Sequence, residues 1–240
     1  MFLVYFLTFG LFVVLFTREV IAPASGATCD KRWRIFAGII NTMSLGAVVV
    51  AGVLFSTWID QNSLITLPGE IGTLGSSLIV FLTASFMAYL WHRLTHISDT
   101  LWRIIHQLHH SPARIETLTA FYAHPVDSFA ASLLNAVVAY LIFGVSAPTA
   151  GLALMYVSIF GLIAHADMKT PYWLGYFIQR PEMHRIHHER DSHKNNYGLP
   201  LWDMLFGTWR NPKQGKTICG FSEDNQYKIR EMLLMQSLDE

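Results

Sequence analysis

The sequence predicts an all-α integral membrane protein, with about four to five spans or half-spans and a cytoplasmic helical cap that holds a histidine-rich site. Of the 240 residues, 52% are hydrophobic and 14% are charged, whereas soluble domains carry roughly 25% charged residues. Uncharged apolar runs recur at the length needed to cross a hydrocarbon core of about 30 Å. All eleven histidines lie after residue 91. The apolar half therefore forms the spans, and the histidines mark the cap.

Five apolar runs are predicted to be spans or half-spans. The first lacks the charged start and the cleavage site of a signal peptide, so it is interpreted as a retained anchor. The last two are joined by Ser-Ala-Pro and are expected to form a helical hairpin. No internal repeat or linker composition divides the chain, so residues 1–240 are predicted to be one domain: spans 1–91, two histidine boxes 92–126, hairpin 127–165 and cap 166–240. The runs cover Met1 to Phe16, about Ile35 to Trp58, about Ser76 to Trp91, about Asp127 to Val145 and Thr149 to Ala164.

The basic residues predict how the chain is oriented. The segment between the first two spans contains Arg18, Lys31, Arg32 and Arg34, and the other thirteen basic residues begin at Arg93. Since cytoplasmic loops are enriched in Lys and Arg, the amino terminus is predicted outside and the polar chain after the third span inside. Lys and Arg balance Asp and Glu at 17 each, so no basic excess indicates a nucleic-acid partner.

Eight histidines form three groups at helical spacing. Neutral imidazole is a ligand for Zn, Fe, Cu and Ni, and histidine is mostly neutral at pH 7 because its reference pKa is about 6.5. Each triplet is expected to present its rings on one helical face. Eight imidazoles exceed the coordination shell of one four- or six-coordinate ion, so their number predicts two metal ions. The groups are His92 and His96 in WHRLTH, His106, His109 and His110 in HQLHH, and His184, His187 and His188 in HRIHH.

Three histidines lie outside these groups, and a role is predicted for each of them. His124 precedes Pro125 at the mouth of the fourth span, and His165 ends the fifth, so both are expected to complete the ligand shell. His193 is predicted to be a solvated loop residue. Nearby acids are candidate acceptors for ring N–H groups, with a solvated role left open. These acids are Asp127, Asp167, Glu182, Glu189, Asp191 and Asp203.

The three boxes resemble those of the fatty acid hydroxylase and sterol desaturase superfamily, an integral-membrane non-haem di-iron group with HxxxH, HxxHH and HxxHH boxes. The trailing NNYGLPLWDMLFGTW, which includes Asn196 and Asp203, is similar to that family's NYG…WD..FGT signature. The resemblance covers about His92 to Trp209. It implies that the eight box histidines are ligands of two irons, that His124 and His165 correspond to the family's His-Pro element and isolated histidine, and that Asn196 supports the ligands.

The resemblance implies a function. The chain would be an oxygenase that hydroxylates or desaturates an unactivated C–H bond of a lipid or sterol-like substrate, using O2 and external electrons. Zinc can replace iron in purified protein. The sequence shows no fused cytochrome b5 domain, so a separate donor is expected, either cytochrome b5-like or a ferredoxin with its reductase. On the same ground, a bacterial inner membrane is favoured over the endoplasmic reticulum.

Two alternatives stay open at this point. A histidine-based zinc hydrolase would use a metal-bound water as the nucleophile and would need no reductant. A metal-binding or metal-transporting membrane protein would place ligands within the spans, whereas the first two predicted spans contain no histidine. Signatures of other enzyme classes, GxSxG, the P-loop, GxGxxG and HExxH, do not occur in the sequence.

Overall fold

The computed structural model describes residues 2–26, 31–56, 63–213, 217–222 and 224–238. Within these ranges the regular elements are helices, and one isolated antiparallel bridge joins Glu189 to Cys219. A π-helix, Trp102–His106, links α4 to α5, and another, Val137–Ile142, extends α6. The α-helices are α1 Phe2–Ile21, α2 Lys31–Ser56, α3 Gly72–Ile97, α4 Asp99–Leu101, α5 Gln107–His110, α6 Pro125–Ala136, α7 Ala147–His165, α8 Pro181–His187, α9 Pro200–Leu205 and α10 Ile229–Leu233; 3₁₀-helices occupy Gly69–Ile71, Thr117–Phe121 and Tyr172–Tyr176.

Four helical stretches in the described ranges are long and apolar enough to cross a membrane, which confirms the predicted membrane helical bundle. Helix α1 forms as expected but is not among the four, and Arg18 and Glu19 lie near its end. The predicted end of the second span at Trp58, together with Cys29, lies outside the described residues. The four stretches are Lys31–Leu54, Gly69–Ile97, Pro125–Ile142 and Ala147–His165.

The fourth and fifth predicted spans each pack against an earlier helix. Helix α6 contacts α2, and α7 contacts α3 and α1. Phe81 and Ala84 of α3 lie in one buried apolar cluster with Val138 and Ala153, so the π-helix that extends α6 and helix α7 share a core on α3. The expected hairpin is thus held in place by α2 and α3.

Helix α3 carries the first histidine pair beyond the predicted end of its span. The span was predicted to end at Trp91, but the helix continues to Ile97. Its 26 residues correspond to a length of about 39 Å, which exceeds a hydrocarbon core of about 30 Å. His92 and His96 therefore lie on the last turns of α3, as the spacing of WHRLTH indicated, and His165 is the last residue of α7.

Candidate metal centre

Nine of the ten predicted ligands lie in two adjacent groups. In each group, one potential ligand atom from every residue lies within 4.8 Å of the others. The rings of His110 and His188, one from each group, stack with centroids 4.1 Å apart. We call the two groups cluster A and cluster B. Cluster A contains His92, His96, His106, His110 and His187, and cluster B contains His109, His165, His184 and His188.

Each histidine triplet is divided between the two adjacent clusters, a division that the expectation of one helical face per triplet did not specify. In HQLHH, the first and last histidines enter cluster A and His109 enters cluster B; in HRIHH, His187 enters cluster A and the other two enter cluster B. At 3.6 residues per turn, positions i and i+4 lie about 40° apart around the helix, whereas i+3 and i+4 lie about 100° apart. The last two rings of each box therefore point to different places.

Backbone geometry contributes to this division in the second box. The π-helix Trp102–His106 ends at the first histidine of HQLHH, and the chain then continues as α5. Single π-helical turns within α-helices change the phase of the side chains and are frequent at functional sites. The rings of His106 and His110 approach through their Nε2 atoms, which are 3.2 Å apart.

Ring nitrogens converge inside cluster B. The Nε2 atom of His184 is 2.9 Å from Nε2 of His165 and 3.0 Å from Nε2 of His188, and His165 Nε2 is 3.3 Å from His109 Nε2. All four side chains are buried. Several basic nitrogens meeting at this distance in a site closed to water form a donor set that suits a cation.

Cluster A presents buried nitrogens that have no protein partner. The Nε2 atoms of His92, His96 and His187 are each buried without a hydrogen-bond partner among the described residues. A buried polar atom without a partner costs free energy of about 1–3 kcal/mol. A metal ion bound between these nitrogens would satisfy them, so the residues of cluster A fit a metal.

Carbonyl groups of one loop orient two rings of cluster A. His187 Nδ1 lies 2.9 Å from the carbonyl oxygen of Asn195, and His92 Nδ1 lies 2.6 Å from that of Tyr197. A carbonyl can only accept, so each ring donates from Nδ1 and leaves Nε2 for a ligand bond. Asn195 and Asn196 have φ values of 67° and 50°, a conformation that asparagine adopts more readily than most residues. The two asparagines of NNYG thus allow the positive φ angles that this loop requires.

Asn196 and Asp203 support this loop, and their hydrogen bonds within the described part of the chain go to groups other than histidine rings. The Asn196 amide donates to the carbonyls of Met183 and Arg210, at 2.9 Å each, and ties the loop to α8. Asp203 accepts from the backbone N–H groups of Tyr197 and Gly198, at 2.9 and 3.1 Å. Both side chains therefore hold the loop whose carbonyls orient the rings. The sequence had indicated that they would support the ligands directly.

Further acceptors hold other rings. His109 Nδ1 is 3.0 Å from the carbonyl oxygen of Tyr122, and His165 Nδ1 is 2.8 Å from that of Gly161. Asp127 Oδ2 lies 3.4 Å from His106 Nδ1, as expected of a nearby acid. Most of these acceptors are backbone carbonyls, which no side-chain motif reveals. Sequence reasoning missed them for that reason.

His193 is not solvated, contrary to the prediction. Its side chain is 7% exposed, and its Nδ1 lies 2.9 Å from Nδ1 of His110 in cluster A. The residue has a φ of 41°, so the loop turns back and places the ring against α5. The charged neighbours in sequence indicated solvent because they do not reveal this turn.

His124 lies outside both clusters. Its Nδ1 accepts a hydrogen bond from the backbone N–H of Val126 at 3.2 Å and caps the start of α6, and its Nε2 is 3.3 Å from the carbonyl oxygen of Leu233. Both ring nitrogens therefore have protein partners. These contacts favour a capping role, and His124 does not join the nine converging rings.

Asp167 forms buried ion pairs, and among the described residues the partners of its carboxylate are Ser25, Arg114 and Arg185 instead of a histidine. Its Oδ1 is 2.5 Å from Arg185 Nη2, and its Oδ2 is 3.5 Å from Arg114 Nε. Arg185 lies in α8 between His184 and the last two rings of its box. Glu19 of α1 accepts from the backbone N–H of Asp167 at 3.0 Å. Asp167 thus fixes the position of α8 and links it to α1.

Burial keeps the cap histidines neutral. Desolvation by burial, reinforced by nearby histidines, lowers the pKa of His106 and His109 from 6.5 to about 3. The same cause lowers the pKa of His184, His187 and His188 well below the usual value. At pH 7 these rings are uncharged, which is the state that binds a metal ion.

Comparisons with known proteins match the part of the chain that contains the clustered histidines. The model of the fatty acid hydroxylase family matches residues 77–208, which include all nine clustered histidines. The ornithine lipid hydroxylase of Rhizobium tropici is 34% identical over 135 residues, 54% of this chain and 40% of that protein. The alkylglycerol monooxygenase of Caenorhabditis elegans is 28% identical over 187 residues, 75% of this chain and 36% of that protein.

A further relative has a desaturase name. The Delta(7)-sterol 5(6)-desaturase of Gibberella zeae is 30% identical over 147 residues, 58% of this chain and 43% of that protein. No solved structure gives a significant match. The chain spans less than half the length of each of these relatives.

Proposed function

The chain belongs to the fatty acid hydroxylase family, whose model matches more than half of its residues, and we propose that it is a membrane dimetal oxygenase. It hydroxylates or desaturates an unactivated C–H bond of a lipid or sterol-like substrate. It uses O2 and takes electrons from a separate donor, either cytochrome b5-like or a ferredoxin with its reductase. Relatives named as a hydroxylase, a monooxygenase and a desaturase support the reaction class.

The observation that carries this proposal is the pair of adjacent, largely buried all-imidazole clusters, to which the long apolar helices α3 and α7 contribute histidines from their last turns. We assign His92, His96, His106, His110 and His187 to one metal ion and His109, His165, His184 and His188 to a second. Iron is the ion that the family resemblance implies, and zinc can replace it in purified protein. Two bound irons would supply the oxidation of a C–H bond by O2, for which side chains have no equivalent chemistry.

The chain's own residues hold and isolate the ions. Nδ1 atoms such as those of His92 and His187 are held by loop carbonyls, so the Nε2 lone pairs point inward. The buried rings of cluster B keep bulk water away, whereas His92 and His96 of cluster A are only partly buried. This difference supports cluster A as the side from which small reactants arrive.

We also propose that the cap lies on the cytoplasmic face, with the amino terminus outside. The support is the position of the basic residues: none lies between residues 59 and 75, and thirteen follow residue 92. In this arrangement a soluble electron donor reaches the cap from the cytoplasm, and a lipid substrate reaches it from the bilayer. We propose the bacterial inner membrane as its location, with the endoplasmic reticulum as the alternative.

The experiment that tests the proposed function measures metal and turnover on the same preparation. Purified protein is loaded with ferrous iron, its metal content is determined, and lipid substrates are incubated with O2 and a chemical reductant. We expect two irons per chain and an oxidised product that requires both O2 and reductant. A product that forms without O2, from protein holding one zinc, would assign the chain to hydrolysis and overturn the proposal.

The transport alternative has a distinct outcome. Ligands on an ion pathway would lie within the spans, whereas the clustered histidines of α3 and α7 lie on the last turns of these helices. Protein reconstituted in sealed vesicles should retain its metal and move none across the bilayer. Metal uptake that depends on cluster A would contradict the oxygenase assignment.

A further inference from the structure

Helix α9 belongs to the predicted cap but is attached to the middle turns of helix α3. Trp202 Nε1 donates a hydrogen bond to Ser85 Oγ at 3.0 Å, and the ring centroids of Trp202 and Phe86 are 4.9 Å apart. Just before α9, Leu199 packs against the buried apolar cluster that contains Phe81. These contacts place α9 beside the middle of a membrane-crossing helix and not beyond its end.

This level lies within the hydrocarbon depth of the membrane. The sequence has no charged residue between Glu70 and Arg93. This uncharged stretch of 22 residues spans about 33 Å as a helix, which matches a hydrocarbon core of about 30 Å. Phe86 lies seven residues before Arg93, or about 10 Å inside the stretch. A segment tied to Ser85 and Phe86 therefore contacts lipid wherever protein does not cover it.

The exposed surface of α9 is apolar. Leu201, Met204 and Leu205 are 49%, 43% and 68% exposed. The charged residue of the helix, Asp203, is buried and accepts hydrogen bonds from the backbone of the preceding loop. Neighbouring large apolar side chains are unfavourable in water, and a contiguous exposed group of them marks an interaction surface.

A second apolar segment continues this surface. The 3₁₀-helix Tyr172–Tyr176 contacts α9, and Trp209 Nε1 donates to one of its carbonyl oxygens at 3.0 Å. Trp173 and Phe177 are 60% and 70% exposed. Tyrosine and tryptophan are enriched where the hydrocarbon core meets the head groups. We call the exposed side chains of both segments the apolar patch, which consists of Trp173, Phe177, Leu201, Met204 and Leu205.

Basic residues flank both segments of the patch. Within residues 170–179 and 195–209 of the sequence, the buried Asp203 is the only charged residue. Lys169 precedes the first segment and Arg210 follows the second, and both are exposed. Cations at the ends of an apolar, aromatic segment are expected at the level of the lipid phosphates.

We propose that the apolar patch inserts into the bilayer leaflet on the side of the metal centre. Acyl chains of that leaflet cover α9, and Lys169 and Arg210 lie at the level of the phosphates. The patch continues the lipid-facing surface of α3, on which Met87 and Leu90 are also exposed. Part of the predicted cap 166–240 therefore lies in the membrane. This holds whether or not the protein is an oxygenase.

The test determines what surrounds a nitroxide spin label on the patch. Leu205→Cys is labelled in the full-length protein, in which Cys29 and Cys219 are replaced by serine, and the zinc-loaded protein is reconstituted in vesicles of phosphatidylcholine and phosphatidylglycerol. Electron paramagnetic resonance then compares collisions of the label with O2, which concentrates in lipid, and with a water-soluble nickel chelate. We expect frequent collisions with O2 and loss of most collisions with the nickel chelate.

The matched control is a label at Ile218→Cys. Ile218 is equally apolar and 72% exposed, but it lies outside the patch, and its carbonyl oxygen accepts from the backbone N–H of the charged Arg190 at 2.9 Å. This label should collide with the nickel chelate freely. Leu201→Cys, one helical turn from Leu205, provides a second measurement on α9 if the first variant folds poorly. Unchanged zinc content shows that each labelled protein is folded.

Two results would overturn the inference. If the labels at Leu205 and Ile218 collide equally often with the nickel chelate, the patch faces water. If the label at Leu205 is shielded from both O2 and the nickel chelate, protein covers the patch, as it would in a dimer of this chain. A label that lies in lipid, on a protein that forms no oxidised product, would refute only the proposed function.

Discussion

Replacing His193 with alanine tests whether the loop after the last histidine box supports cluster A. The substitution removes the ring whose Nδ1 lies 2.9 Å from Nδ1 of His110. His110 would keep its place in α5 but lose this partner on the side opposite the cluster. We therefore expect His193→Ala to bind metal more weakly while still binding the same number of ions at saturation.

The magnitude follows from the position of the contact. Loss of a partner that orients a metal-bound histidine typically costs 10- to 100-fold in metal affinity, or about 1.4–2.7 kcal/mol. The contact is buried, since His110 is 0% exposed and His193 is 7% exposed. His193→Asn should recover part of the loss, because its amide reaches the region of the imidazole Nδ1.

The assay is a competition titration of iron or zinc against a chelator of known affinity, with metal content measured at saturation. The matched control is His124→Asn, which keeps a good cap for α6 and removes a buried ring that lies outside both clusters. We expect the control to bind metal with unchanged affinity. If His193→Ala binds metal with wild-type affinity, His193 does not support His110. The sequence-based prediction of a solvated loop residue would then describe its role better.

The remaining predictions concern the ligands, the buried ion pair and pH. His184→Ala and His187→Ala should each lower the bound metal from two ions to one, measured by elemental analysis; loss of both ions in both variants would contradict separate clusters. Arg185→Leu leaves Asp167 without its closest cation, and breaking a buried pair costs about 3–5 kcal/mol, so the melting temperature in detergent should fall sharply; an unchanged melting temperature would contradict this role. Burial raises the pKa of Asp203 from 3.8 to about 6, so its protonated form is favoured by folding and its contribution to stability is lost as pH rises from 4 to 6. Asp203→Asn should flatten that part of the melting curve against pH, and an unaltered slope would exclude Asp203 as its source.

Much of the architecture could be predicted from the sequence because hydrophobicity and helical period are local properties. Apolar runs of sufficient length are helical whatever their neighbours are, and the four membrane-crossing stretches follow them closely. The same local rule places His92 and His96 on the last turns of α3, beyond the predicted end of the span. Helix α3 continues to Ile97 because nothing in WHRLTH interrupts it before Ser98, which caps the start of α4.

The arrangement of the site depended on information that is not local. His193 has charged and polar neighbours in sequence, but loop geometry buries it beside His110. His124 lies at the start of a predicted span, but its two ring nitrogens contact the backbone N–H of Val126 and the carbonyl oxygen of Leu233. The acceptors that orient His92 and His187 are backbone carbonyls. Any residue type offers a carbonyl, so only the path of the chain decides which one meets a ring.

The division of the two triplets has a consequence for how the centre is built. His109 and His110 are adjacent in α5, and His187 and His188 are adjacent at the end of α8, yet each pair contributes to both clusters. The direction in which neighbouring side chains leave a helix is fixed by its backbone. A shift of either helix therefore moves ligands of both clusters together. The buried Asp167–Arg185 pair and the Asn195–Tyr197 loop, which both hold α8, thus position the two clusters as one unit.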